Sequence, residues 1–258
     1  METEQNEFKF NRSLLGKILA VFSFVLAVFS LLLFCVAYLN NKSISMSDTI
    51  KSLQIVSCVT IIISSGILVT YYLIFRNRKK YEFLVSLGLI TLCLAVLISI
   101  ISAFINLSDA ISKTSKHANV TPMIFETLAT VVMPILCIIA FAISTYFVYK
   151  KKPLYLSVFV LIPAILSILE FITIPLLSQL SGSSLGAGTG KFIEFYTLCE
   201  TSLYSCLFVL GLDLNNEYKK EAEFKKALKK LLEDSALENS EDSANENTKS
   251  TDHTKTEE

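Results

Sequence analysis

Six stretches of this sequence are apolar enough and long enough to cross a bilayer as a helix, for which about 20 residues suffice. They cover 17–39, 52–75, 83–106, 122–149, 154–180 and 191–213. The links between them are "NNKSISMSDTIK", "RNRKKYE", "LSDAISKTSKHANV", "KKKP" and "SGSSLGAGTG", each too short to hold a soluble domain. The pattern predicts an all-α, polytopic helical membrane protein with six transmembrane helices.

Lysine and arginine collect in alternate links. Lys9, Arg12 and Lys17 precede the first run; Arg76, Arg78, Lys79 and Lys80 fill the second link; Lys150, Lys151 and Lys152 fill the fourth; Lys219, Lys220, Lys225 and Lys226 follow the last run. The remaining links hold Lys42 and Lys51, then Lys113 and Lys116, then Lys191. Positive charge stays on the cytoplasmic side, so both termini are expected there. Tryptophan is absent. The interfacial aromatic belt therefore falls to tyrosines near the basic ends: Tyr71, Tyr72, Tyr81, Tyr146, Tyr149, Tyr155 and Tyr218. The first run exceeds the 7–15 residues of a signal-peptide core and lacks a small-residue cleavage site, which makes it an anchor.

Beyond the last run the pattern changes twice. In 214–235 Phe224, Ala227, Leu228 and Leu231 share one helical face and Lys225, Lys226, Lys229 and Lys230 the other, as in a basic amphipathic helix at the inner leaflet. From Ala236 to Glu258 almost nothing is apolar, and a disordered acidic tail is expected. The chain thus reads as a cytoplasmic segment 1–16, a membrane domain 17–213, an amphipathic cytoplasmic helix 214–235 and a disordered tail 236–258.

Composition agrees with this class. Hydrophobic residues make up 52% of the chain even though charge is dense in the links and tail, against roughly 45–50% in soluble domains with glycine counted. No basic domain is present to bind nucleic acid. The six cysteines (Cys35, Cys58, Cys93, Cys137, Cys199 and Cys206) all lie inside apolar runs, where they suit packing better than disulfides or zinc. His117 and His253 are the only histidines, and both lie outside the runs. There is no H-E-x-x-H helix and no glycine-rich phosphate loop. The serines of Ser64–Gly66 and Ser181–Ser184 have no histidine at their depth to activate them. No catalytic group, metal site or cofactor is expected, and an enzyme is the least favoured class.

The sixth run carries "FIEFYTLCETSLYSC". At 100° per residue Glu200, Tyr204, Thr197, Thr201, Glu194 and Ser205 fall on one arc of about 140°. Intramembrane carboxylates cost about 2.5–3.5 kcal/mol on insertion scales and normally face protein or water, so this arc should point into the bundle. Glu200 lies about 13 Å below the outer start of its helix, and Glu170 of the fifth run lies about 10–15 Å below its own outer end. Glu126 enters near the outer end of the fourth run, level with Glu194. Gln54, Ser57, Ser99, Ser102 and Asn106 occupy the same outer half. Pro163 and Pro175 bracket Glu170 and mark the fifth helix as a place for a hinge.

These residues suggest an outward-facing, acidic, hydroxyl-lined cavity for a cation, a proton or a cationic solute. Glu170 and Glu200 are its expected core, and Glu194, Glu126, Thr197, Thr201 and Tyr204 its expected lining. A small transporter or solute-binding membrane component is the leading expectation. The alternative is a noncatalytic scaffold or accessory subunit, in which the polar groups only join helices, at about 0.6 kcal/mol per contact. The bilayer is the expected partner in either case, with a membrane protein or a second copy of the chain as further candidates. Three arginines against twenty lysines suggest an AT-rich genome and a bacterial inner membrane. The sequons at Asn41, Asn106 and Asn119 matter only in a eukaryotic secretory route.

Overall fold

The computed structural model describes residues 12–40, 48–75, 83–113, 121–180 and 187–250. Among them the backbone is helical except for the short turn at 150–153. The elements are α1 (Arg12–Asn40), α2 (Asp48–Thr70) with a π turn at Tyr71–Phe75, α3 (Phe83–Lys113), α4 (Thr121–Tyr149), α5 (Leu154–Leu180) and α6 (Ala187–Ser250). Among the described residues each long helix contains a stretch long and apolar enough to cross a membrane, six in number. The chain divides into two compact units, Met1–Asp213 and Leu214–Glu258. The basic link 76–80, Lys9, Lys42, Lys116, Tyr81, His117, His253, the sequons at Asn41 and Asn119, and Ser181–Ser184 lie outside the described residues.

The apolar runs become helices because a continuous helix satisfies every backbone group internally, as a bilayer core demands. The links set the ends. In "KKKP", Lys151 takes a left-handed φ of 55°, and the Lys152 N–H reaches back to the Phe147 carbonyl at 2.9 Å. That geometry closes the end of α4 before Pro153 starts the next helix. Helix α5 then runs unbroken through both Pro163 and Pro175.

In the first unit α1 to α5 pack each against the next in chain order. The stretch of α6 from Ala187 to Asp213 meets all five. Phe29–Phe195 and Phe34–Phe192 ring contacts join it to α1, at 5.0 and 5.1 Å between centroids. Tyr196 reaches Ser57 of α2 and Ser99 of α3. Tyr204 packs on Phe141 of α4 at 5.3 Å, and Ser157 of α5 donates to the Phe208 carbonyl at 2.8 Å. Leu203, Cys206, Leu207 and Leu210 are accordingly sealed from solvent.

Small residues make these approaches possible. Ser23, Ser30, Ser57, Ser64, Ser65, Ser144 and Ser157 are all buried, as expected where helices associate by close packing rather than by hydrophobic exclusion. Ser64 donates across the α2–α3 contact to the Gly88 carbonyl at 2.9 Å. Outward, the helices present leucine, isoleucine, valine and phenylalanine, such as Leu14, Ile18, Val25 and Leu32 on α1 and Ile90, Leu94, Leu97 and Ile101 on α3. Polar groups inside and large apolar side chains outside is the arrangement a lipid solvent selects.

One expectation needs correction. Tyr71 and Tyr72 do not belong to an interfacial belt: each is 1% exposed. The π turn at the end of α2 rotates them into the bundle, and Gly16 of α1 makes room, since a Cβ there would overlap the Tyr72 ring. Tyr146, Tyr149 and Tyr155 are exposed, as a belt requires. In the second unit α6 is continuous to Ser250. Adding residues to an existing helix avoids the nucleation cost, and the alanine, glutamate, lysine and leucine of this segment tolerate helix well. Within that unit Phe224, Leu228, Leu231 and Leu232 are exposed, and Lys225 pairs with Glu221 one turn away at 3.0 Å.

Candidate functional site

The polar arc of α6 faces other helices, and Glu200 is its centre. The carboxylate is half-buried and lies between two tyrosines on its own helix, Tyr196 one turn before it and Tyr204 one turn after. Both phenol hydroxyls donate to it. Residues four apart stack on one helical face, so α6 supplies its own clamp for this side chain.

Tyr196 carries the cluster outward to other helices. Its hydroxyl shares a hydrogen bond with Ser57 Oγ at 3.2 Å and another with Ser99. Ser57 and Ser99 stand 3.4 Å apart, and Ser99 also donates to the Ala95 carbonyl at 3.2 Å. Three helices therefore meet at one phenol oxygen. Ser57 also lies within donating distance of the Ala95 carbonyl, at 3.5 Å, so its one proton is shared between that carbonyl and the phenol oxygen.

On the other side lies α5. Ser167 and Thr201 share a 3.0 Å hydrogen bond, and Thr201 donates to the Thr197 carbonyl at 2.8 Å. One turn beyond Ser167, Glu170 comes within electrostatic reach of Glu200, and Cys137 of α4 lies close enough to feel both carboxylates. The two differ in access: Glu170 is exposed and Glu200 is half-buried.

Of the residues singled out from the sequence, Glu170, Glu200, Thr201 and Tyr204 gather at this point, with Thr197 buried beside them. Glu194 is exposed, and no described contact ties it to the cluster. Glu126 lies on α4 with its side chain outside the described residues, as does that of Asn106 on α3. Tyr196 was missed by the sequence reading. It stands about 40° from Glu200 on the side opposite the arc, and the signal for it was the spacing in "YTLCETSLY", a tyrosine four residues either side of the glutamate.

The opposite face of α6 is buried as well, against α1. Cys199 Sγ donates to the Ser23 carbonyl at 3.3 Å, Ser202 to Leu19 at 3.4 Å and Cys206 to Gly16 at 3.6 Å. Toward the Ala187 end, Phe34, Cys58 and Phe192 form an apolar cluster with Leu31 and Tyr196 packed on it. Phe192 is one turn from Tyr196, with ring centroids 5.7 Å apart. An apolar cluster thus adjoins the polar centre.

Compared with known proteins, the chain matches no family model, no curated protein and no solved structure. What can be said of its class comes from the fold: six apolar helices suited to a multi-pass membrane protein.

Proposed function

We propose that the protein is a small multi-pass transporter or solute-binding membrane component, and that Glu170 and Glu200 take a cation, a proton or a cationic solute. The observation that carries this is the approach of those two carboxylates from neighbouring helices. No lysine or arginine lies between Lys152 and Lys191, or between Lys191 and Lys219, so α5 and the membrane part of α6 bring no counter-charge of their own at that level. Two carboxylates in a low-dielectric setting repel strongly, and a positive ligand relieves that repulsion. Thr201 and Tyr204 supply neutral oxygens around it, with Thr197 beside them.

The proposal sets the protein in a bacterial inner membrane with both termini in the cytoplasm, on the strength of the alternating basic links. It assigns no enzymatic activity. Uptake into proteoliposomes, and thermal stabilisation of purified protein by inorganic cations and amines, test it directly. Glu200→Gln and Glu170→Gln should each abolish the ligand effect while the unliganded protein stays folded. Unchanged ligand responses in both variants would sink the assignment.

A second reading, a noncatalytic scaffold or accessory subunit, is favoured by the exposed apolar face of Phe224, Leu228, Leu231 and Leu232 on the helical second unit. Deleting residues 217–258 separates the two. A transporter keeps its ligand response without them, whereas a scaffold loses a stoichiometric partner.

A further inference from the structure

We infer that the second unit docks on an anionic phospholipid surface through the segment 224–232 of α6. This docking is independent of any ligand of Glu170 and Glu200. The segment reads "FKKALKKLL" and holds four lysines and no acidic residue. At about 100° per residue Leu231, Phe224, Leu228 and Leu232 share an arc of about 100°, and Lys225, Lys229, Lys226 and Lys230 follow on an adjoining arc of about 140°. Every residue from Ala222 to Leu232 is exposed, with Phe224 at 68%, Leu231 at 66% and Leu232 at 61%. The apolar stripe is therefore open to an outside surface.

The stripe is too short for a helix partner. Phe224, Leu228 and Leu231 follow the spacing of a coiled-coil seam, but Glu217 and Glu221 before them and Ser235 after them take the next seam positions. A coiled coil needs about three to four heptads of apolar seam. A bilayer needs no such length. An amphipathic helix beds its apolar stripe at the boundary of headgroups and acyl chains and leaves its charges among the headgroups.

Charge selects the kind of lipid. Each lysine brought near an anionic surface is worth about fivefold in affinity, and this segment brings four with no carboxylate among them. The pair that Lys225 makes with Glu221 is 3.0 Å long, with the lysine side chain 72% exposed. Such a surface pair is weak and gives way to a lipid phosphate. Docking flat asks the second unit only to take its own direction after the first. Asn215 and Asn216, beside the boundary of the two units, favour helix weakly.

The chain has no tryptophan, so Phe224→Trp places a single reporter in the stripe of the full-length protein. Nanodiscs of phosphatidylcholine are compared with nanodiscs that also contain phosphatidylglycerol, each with brominated acyl chains as quencher. Bromine should quench the tryptophan at least about threefold more strongly in the anionic discs, and high salt should reduce the difference. Combining Lys225→Gln, Lys226→Gln, Lys229→Gln and Lys230→Gln should abolish that difference. Glutamine suits a helix about as well as lysine does, so the variant keeps its helix. Absence of quenching in the anionic discs would overturn the docking. Equal quenching in both lipids, or undiminished quenching in the glutamine variant, would overturn the recognition of charge. A blue-shifted but unquenched tryptophan, seen only in discs that hold two copies, would assign the stripe to a second copy of the chain and overturn it as well.

Discussion

Tyr196 and Glu200 are one helical turn apart on α6, and the tyrosine hydroxyl joins the glutamate to Ser57 on α2 and Ser99 on α3. A single phenol oxygen thereby ties the polar centre to the far side of the bundle. Tyr204 also donates to Glu200, but its ring rests on Phe141, and no described hydrogen bond carries it on to another helix. The two tyrosines should therefore behave differently. Tyr196→Phe removes the bridge and should cost about 0.5–1.5 kcal/mol of stability, whereas Tyr204→Phe keeps the ring packing and should cost less. Unfolding titrations of both variants in mixed micelles measure this, and equal losses would contradict the bridging role.

The hydrogen bond between Ser167 and Thr201, 3.0 Å long, is the polar link between α5 and α6 nearest the two carboxylates. A double-mutant cycle of Ser167→Ala and Thr201→Val should give a coupling of about 0.6 kcal/mol, the usual size within membrane bundles. Each hydroxyl has a carbonyl of its own helix within donating distance, Ala164 for Ser167 and Thr197 for Thr201, so neither is stranded when its partner is removed. A coupling indistinguishable from zero would mean that van der Waals packing alone sets the α5–α6 spacing here.

Much of this architecture was legible in the residues, because one physical rule governs it. A helix crossing hydrocarbon must be apolar for its whole length, so the runs at 17–39 and 154–180 announce α1 and α5 without reference to any partner. The inward turn of Glu200, Thr197 and Tyr204 follows from the same rule applied to one face. Pairings between helices do not. Nothing in the apolar half of α6 told that Cys199 and Cys206 pack on α1 rather than on lipid, since both environments are apolar. Tyr71 and Tyr72 misled for a related reason. Tyrosine beside a basic link suits the interface, and only the π turn and the space at Gly16 put these two inside. Tyr196 escaped because it falls about 40° outside the polar arc that begins at Glu200. The approach of Glu170 to Glu200 could be expected by depth, but depth alone does not choose the facing sides of the two helices.

At Gly211 the backbone of α6 comes hard against the start of α5. A Cβ added there would stand 2.8 Å from the Ser157 backbone nitrogen and 2.9 Å from the Pro153 carbonyl oxygen. Backbone atoms cannot rotate aside as a side chain can, so Gly211→Ala should push the helices apart. The cost of such overpacking is typically 1–3 kcal/mol, partly offset by the gain of up to about 1 kcal/mol in helix propensity. Gly66→Ala is the control. Its Cβ would meet only the Phe24 ring at 3.5 Å, and the variant should be neutral or slightly stabilised. Comparable destabilisation of the two would show that the α5–α6 approach is not the tight one.

Cys58 offers an internal probe of the apolar cluster around Phe192. It is 2% exposed and packs with Phe34 and Phe192, whereas Cys206, fully buried, lies farther along α6 against Gly16. Phe192→Ala removes the ring that faces Phe34 at 5.1 Å and Tyr196 at 5.7 Å. In a bilayer the loss is one of contact rather than of hydrophobic transfer, because the lipid is as apolar as the side chain it replaces. The helices should therefore stay assembled while a path opens beside Cys58. A water-soluble methanethiosulfonate reagent should label Cys58 at least about tenfold faster in Phe192→Ala than in the parent, while Cys206 stays unlabelled in both. Peptide mass mapping after timed exposure reads the two sites separately. Equal labelling of Cys58 with and without the ring would mean that Phe192 does not shield Cys58 from water. Simultaneous labelling of Cys206 would mean that the substitution had loosened α6 from α1 as a whole.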